Sequence, residues 1–198
     1  MHIPRRYEDR IREINVDAPV TVFSYSHWHD ALQASSLPDG HLKQVHDFLG
    51  ERFTRADVVN LYKSPKLQTD VKFLAAMIWG HEAGEGERRD GRGLWKVSQM
   101  LENADDARKV LEAIDVNSRD AIADSYTRLS GALKMCGPNF FTKHLYFLGK
   151  AKAYKHYPVI FDNRVAPGIS SSDGGRGPCL QYDFRVNGET NGRIPSLP

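Results

Sequence analysis

A chain of 198 residues is long enough for one well-filled core or for two small lobes around a cleft, and a formal charge of +2 permits a nucleic-acid partner without demanding one. Two cysteines, Cys136 and Cys179, are too few for an all-cysteine zinc site or a four-cysteine iron–sulfur cluster, so no metal of that kind is expected to staple the fold. With no apolar run near the roughly 20 residues of a membrane span and no apolar signal core after Met1, the expectation is a cytoplasmic protein with reduced thiols and no Cys136–Cys179 disulfide.

Residues 1–19 are polar with an early proline and read as an N-terminal arm. Val20 to Tyr25 has the β-branched and aromatic content of a short strand. His27-Trp28-His29-Asp30 follows; its two histidines would need a third ligand from elsewhere to hold a metal, and an aromatic packed at a turn with exposed imidazoles is the favoured reading. Asp39 can cap a helix over 40–50, whose stripe is Leu42, Val45, Phe48 and Leu49, and Thr54 a second over 55–63. Thr69 opens a helix in which Val71, Phe73, Leu74, Met77, Ile78 and Trp79 leave almost no polar face, the pattern of a buried helix.

Gly80 to Gly93 carries five glycines and many charges and reads as a loop. Helices are expected over 94–103, 105–114 and 118–135, the last with Ile122, Tyr126, Leu129 and Leu133 on one face. A turn at 137–140 then leads into a helix over about 141–155. After Pro167 the composition shifts to Ser170-Ser-Ser-Asp-Gly-Gly-Arg-Gly-Pro178, a loop, followed by a short strand candidate at Leu180 to Val186. The fold expected is a single, mainly α-helical domain with a minor β contribution, organised as arm 1–19, helical core 20–166 and loop-rich segment 167–198.

Two residues stand out for chemistry. Lys143 closes the run Cys136-Gly-Pro-Asn-Phe-Phe-Thr-Lys143, and Asp162 closes Pro158-Val-Ile-Phe-Asp162, 19 residues later. The lysine is flanked by Phe140, Phe141, Leu145, Tyr146 and Phe147, an apolar setting near a helix start, which favours the neutral, nucleophilic amine. The aspartate precedes Asn163-Arg164-Val165, where capping a helix would also account for it.

This stretch resembles the core of the helix-hairpin-helix-GPD superfamily, above all its lysine-bearing members, the 8-oxoguanine DNA glycosylases. Aligned on the lysine, Gly137 to Lys143 takes the place of the L-P-G-V-G-T-K hairpin of those enzymes, and Pro158 to Asp162 that of the run carrying their aspartate. Asn139 and Phe141 stand where the two inner glycines of the hairpin usually lie. The resemblance implies helix-hairpin-helix architecture with the hairpin at 137–143, Lys143 and Asp162 as catalytic residues, and Gly137, Asn139, Phe140, Thr142 and Arg164 as DNA-binding residues. It implies duplex DNA bearing a damaged or modified base as partner, a monomeric enzyme, and no metal, nucleotide or other cofactor.

The implied activity is excision of an oxidised or otherwise modified purine, 8-oxoguanine foremost, with lyase chemistry through a lysine Schiff base. Trp28 and Trp79 are candidates for the base pocket, since aromatics stack on extruded bases, although packing as core is the first reading of each. Arg88, Arg89 and Arg92 in the glycine-rich loop, and Lys150, Lys152 and Lys155 further along the lysine-bearing helix, are solvated or phosphate-facing charges. Two alternatives remain open: a non-catalytic DNA-binding module with the same hairpin, and a glycosylase acting on modified viral bases in defence.

Overall fold

The computed structural model describes residues 19–38, 40–81, 94–154, 158 and 160. The Asp39 cap, the arm before residue 19, the loop from 82 to 93 and everything expected beyond Ile160, including Asp162 and Arg164, lie outside the described residues. In chain order the elements are β1 (Thr21–Val22), α1 (Tyr25–Leu32), α2 (Gly40–Leu49), β2 (Arg52–Phe53), α3 (Arg55–Lys63), α4 (Thr69–His81), α5 (Leu94–Met100), α6 (Ala104–Glu112), α7 (Arg119–Leu129) and α8 (Pro138–Ala151). The fold is mainly helical, and β1 pairs antiparallel with β2 through Thr21↔Phe53 and Val22↔Arg52.

α4 is the hub. Phe73, Leu74, Met77 and Ile78 have no exposed surface, and the helix packs against α2, α3, α5, α6 and α8. Its apolar circumference is satisfied only by neighbours on several sides, each buried side chain of this size being worth about 1.5–3 kcal/mol. α3 and α8 pack on each other as well, so α3, α4 and α8 share one core. The Thr54 cap of α3 is a full capping box: Thr54 Oγ1 accepts from Asp57 N–H, and the Asp57 carboxylate accepts from Thr54 N–H at 2.7 Å.

The second residue of α4 is a buried carboxylate. Asp70 has no exposed surface, and Arg108 of α6 donates Nε–H and Nη2–H to its Oδ2 at 3.1 and 2.7 Å. Asp70 Oδ1 accepts the Val71 N–H at 3.0 Å, and His41 Nδ1 of α2 lies 3.5 Å from Oδ2. Burial lowers the His41 pKa against the opposing pull of Asp70. One carboxylate thus ties the start of α4 to α6 and lies against His41 of α2.

Several boundaries differ from the sequence expectation, among them the ends of α5, at Met100 rather than 103, and of α8, at Ala151 rather than about 155. The strand expected over Val20 to Tyr25 shrinks to Thr21–Val22, and Tyr25 instead begins α1, which buries Trp28 and Leu32 one turn apart. α4 continues through Gly80 and His81, which the glycine content had assigned to the loop. α7 stops at Leu129 rather than 135, because Gly131 takes φ +88° and breaks the helix. α8 starts at Pro138 rather than 141: proline suits the first helical position, where its fixed φ is helical and no N–H is needed. The turn between α7 and α8 therefore occupies 130–137, and Lys143 lies in the second turn of α8 rather than the first.

His144 makes the core sensitive to acid. It is fully buried against Phe73, and its Nδ1 lies 2.9 Å from the Tyr62 hydroxyl. Burial raises the Tyr62 pKa, so the phenol keeps its proton and can donate it to Nδ1. Burial, with Lys72 adding to it, pushes the His144 pKa down to about 3. The unfolded chain binds this proton near pH 6.5 and the folded chain only near 3, so the contribution is fully present above pH 6.5 and is lost as pH falls toward 3, at up to about 1.4 kcal/mol per unit. His144→Gln, which can still accept from Tyr62, is expected to flatten that slope by about 1 kcal/mol per unit in urea titrations between pH 7 and 4. Parallel slopes for the two proteins would contradict it.

Candidate active site

The site is built where the start of α8 meets the end of α4. Gly137 leads into α8 with extended backbone, φ −76° and ψ 176°, and its carbonyl accepts the N–H groups of Phe140 and Phe141 at 2.8 and 3.2 Å. Its own N–H donates to the Met135 carbonyl at 3.2 Å, so three of the backbone donors expected at a phosphate-binding hairpin are engaged within the chain. Met135 is itself in the left-handed region at φ +61°, with 44% of its surface exposed. Thr142 is fully buried and donates its hydroxyl to the Pro138 carbonyl at 2.6 Å.

Lys143 follows Asn139 by one helical turn and shares its face. Its side chain runs back along the helix, as helical side chains do, so that the ammonium donates to the backbone carbonyl of Asn139 and to Asn139 Oδ1 at 2.9 Å. The residue is only 6% exposed, and Nζ lies 5.6 Å from the centre of the Phe140 ring. A lysine on a helix ordinarily extends its charge to water. This one is folded inward.

Gly80 makes room for it. A Cβ at Gly80 would lie 2.2 Å from Lys143 Cε and 2.4 Å from Cδ, distances no real contact shows. The lysine stem fills the space any other residue at position 80 would need. The next residue, His81, packs its ring 5.4 Å from Phe140 and 6.0 Å from Trp28, which carries the wall of the site inward to α1. Cys136 adds a thiol beside the lysine; burial pushes its pKa up to about 12 despite the opposing pull of Lys143, so it stays a neutral thiol.

Trp79, the neighbour of Gly80, is half-buried and sits edge-on to Phe147 at 5.2 Å. The Arg55 guanidinium carbon lies 4.9 Å from the Trp79 ring and 5.5 Å from that of Tyr146, a cation held between two aromatic residues. Trp28 has no exposed surface and packs as core, while His27 and His29 on the same helix are exposed. Among the described residues no three metal-binding side chains come together, and no helix is long and apolar enough to cross a membrane.

The structure thus gathers Lys143, Asn139, Phe140 and Gly137 at one helix start, with Gly80 against the lysine stem, while Trp79 packs one turn further along α8 on Phe147. Gly80 and Arg55 were not singled out from sequence. A glycine one step beyond an unbroken apolar run is the signal that marks Gly80; Arg55 carries none, since an arginine after a threonine cap is ordinary.

Comparison with curated proteins and with solved structures finds no match. The family model described as "Putative 8-oxoguanine DNA glycosylase OGG-like protein" matches residues 15–189, a span that holds the whole of the site as well as Asp162. With nearly all of its length matched, the chain belongs to the 8-oxoguanine DNA glycosylase OGG-like family.

Proposed function

We propose that the protein is a DNA glycosylase with lyase activity, excising an oxidised purine, 8-oxoguanine foremost, from duplex DNA with Lys143 as nucleophile. The observation that carries this is the inward-folded Lys143, 6% exposed at the start of α8, with its stem in the space a side chain at Gly80 would need. Surface lysines need no such slot. Family membership supports the DNA partner and an oxidised purine as substrate class.

In the proposed reaction the damaged nucleotide is extruded from the duplex. Neutral Nζ attacks C1′ of its sugar, a bond forms from nitrogen to C1′, and the C1′–N9 electrons leave with the base, which takes up a proton. The ring oxygen then departs from C1′ and is protonated, leaving a protonated imine between Lys143 and the sugar. Loss of a C2′ proton expels the 3′ phosphate and cuts the strand. Asp162, placed by the motif at the position of the family's aspartate, would stabilise the positive charge that grows on the sugar as the base departs. These steps call for no cofactor.

The test is base release and strand scission on duplexes carrying one 8-oxoguanine, one of several other modified purines, or none. Release confined to a modified purine supports the proposal, and the base that is cut separates repair of oxidised DNA from attack on modified viral DNA. Salt-dependent binding to every duplex with no cleavage of any would identify a non-catalytic module instead.

Gly80→Ala probes the slot without touching the nucleophile. Alanine is the better helix former by about 1 kcal/mol, so the fold is expected to survive, while the added methyl must displace Lys143. A shift of about 1 Å in a reacting group costs up to about 10²-fold, and lesion-dependent cleavage is expected to fall by that order. Cleavage at the wild-type rate would show that the slot is not where Lys143 acts.

A further inference from the structure

We infer that Asn139 is a positioning residue for Lys143, its side-chain amide holding the amine against the start of α8 and tuning the pH at which that amine becomes a nucleophile. The inference rests on the proposed role of Lys143. Asn139 presents two oxygens to one ammonium: its backbone carbonyl and Oδ1, the latter at 2.9 Å. The opposite wall is the Gly80 backbone, and the Phe140 ring closes a third side. Among these walls the amine lies where Asn139 puts it.

The chemistry of an amide suits the task. Its oxygen accepts from the ammonium, yet it has no charge to lock the proton in place and no basicity to take it. Once the proton has passed to solvent, rotation of the amide offers Nδ2–H to the nitrogen lone pair, so one side chain can hold both protonation states of the amine. A carboxylate at this position would favour the ammonium alone.

Among the described residues, titratable and charged groups lie on several elements packed near Lys143. Cys136, in the turn before α8, is a neutral thiol across the working range. His81 of α4 packs on Phe140. Arg55 of α3 stands beside Tyr146, three residues further along α8 than Lys143. Asp162 lies outside the described residues and is common to every variant compared, so differences among them report Asn139.

The experiment follows the Lys143 side chain directly. Full-length protein labelled with ¹³C at lysine Cε is titrated by NMR, with the Lys143 signal identified by its loss in Lys143→Gln, for wild type, Asn139→Asp and Asn139→Leu. A carboxylate this close to an ammonium is expected to raise the midpoint by about one unit or more, and leucine, which removes the side-chain acceptor, is expected to lower it. The acid limb of covalent trapping on lesion-bearing DNA should move with each midpoint. Coincident midpoints in all three folded proteins would overturn the inference. Shifted midpoints with no trapping by wild type at any pH would uphold Asn139 as the amine's holder and refute Lys143 as nucleophile, so the two failures are told apart.

Discussion

Replacing Lys143 with glutamine is expected to abolish covalent capture of lesion-bearing DNA, lowering lysine-dependent strand cleavage by more than about 10³-fold. Glutamine has no nucleophilic nitrogen, so no imine can form at C1′, yet it keeps much of the stem that fills the space over Gly80 and a polar end for Asn139 to meet. The fold and DNA affinity are therefore expected to change little. Lys143→Ala should lose the same chemistry and in addition leave the slot empty, at a cost in stability from the cavity. An unchanged cleavage rate in a folded Lys143→Gln protein would move the nucleophile elsewhere.

The largest effect on stability is expected far from that site, at the other end of α4. Arg108→Ala removes the partner of Asp70, a carboxylate with no exposed surface, and leaves it with the Val71 N–H and a His41 whose burial disfavours charge. Breaking a buried pair by deleting one member costs about 3–5 kcal/mol, and the low end applies here because the Arg108 side chain is 25% exposed and water can enter where it stood. For a domain of this size about 3 kcal/mol lowers Tm by roughly 6–12 °C. Thermal unfolding measures it. Replacing both members by apolar residues, Asp70→Leu with Arg108→Met, should recover much of the loss, since the expense lies in the unpaired charge. A single variant within about 2 °C of wild type would mean that the ion pair does not hold the helices together.

The central helices were legible because their signals are local. Thr54 with Asp57 three residues on announces α3, and the unbroken apolar run from Val71 to Trp79 announces the buried α4. α1 was not legible: eight residues are too few for a periodic stripe to emerge from Tyr-Ser-His-Trp-His-Asp-Ala-Leu, and it is tertiary burial of Trp28 and Leu32 that makes them helical. The ends of α4 and α7 show the two faces of glycine. Gly80 lies inside its helix, where a neighbour's side chain takes the room beside it, whereas Gly131 ends one because it adopts a left-handed backbone.

In the site, the spacing of motif residues marked Lys143 and Asp162 without any view of their surroundings. The contacts that define the lysine's setting come partly from within α8, through Asn139 four residues earlier, and partly from α4, 63 residues away at Gly80. The first lies on the helical repeat and can be read from sequence; the second exists only once α4 and α8 pack. The expected DNA-contacting role of Asn139 was drawn from alignment with a hairpin; Pro138 starts the helix earlier, and the Asn139 side chain meets the lysine.

The most direct test is borohydride reduction of the protein mixed with a duplex bearing a single 8-oxoguanine, followed by mass spectrometry of the digested adduct. A protonated imine reduces to a stable secondary amine that carries the sugar remnant. Lesion-dependent adduct on the peptide containing Lys143, and none with Lys143→Gln, is the predicted result. Adduct on a different residue, or an equal yield from Lys143→Gln, would contradict it.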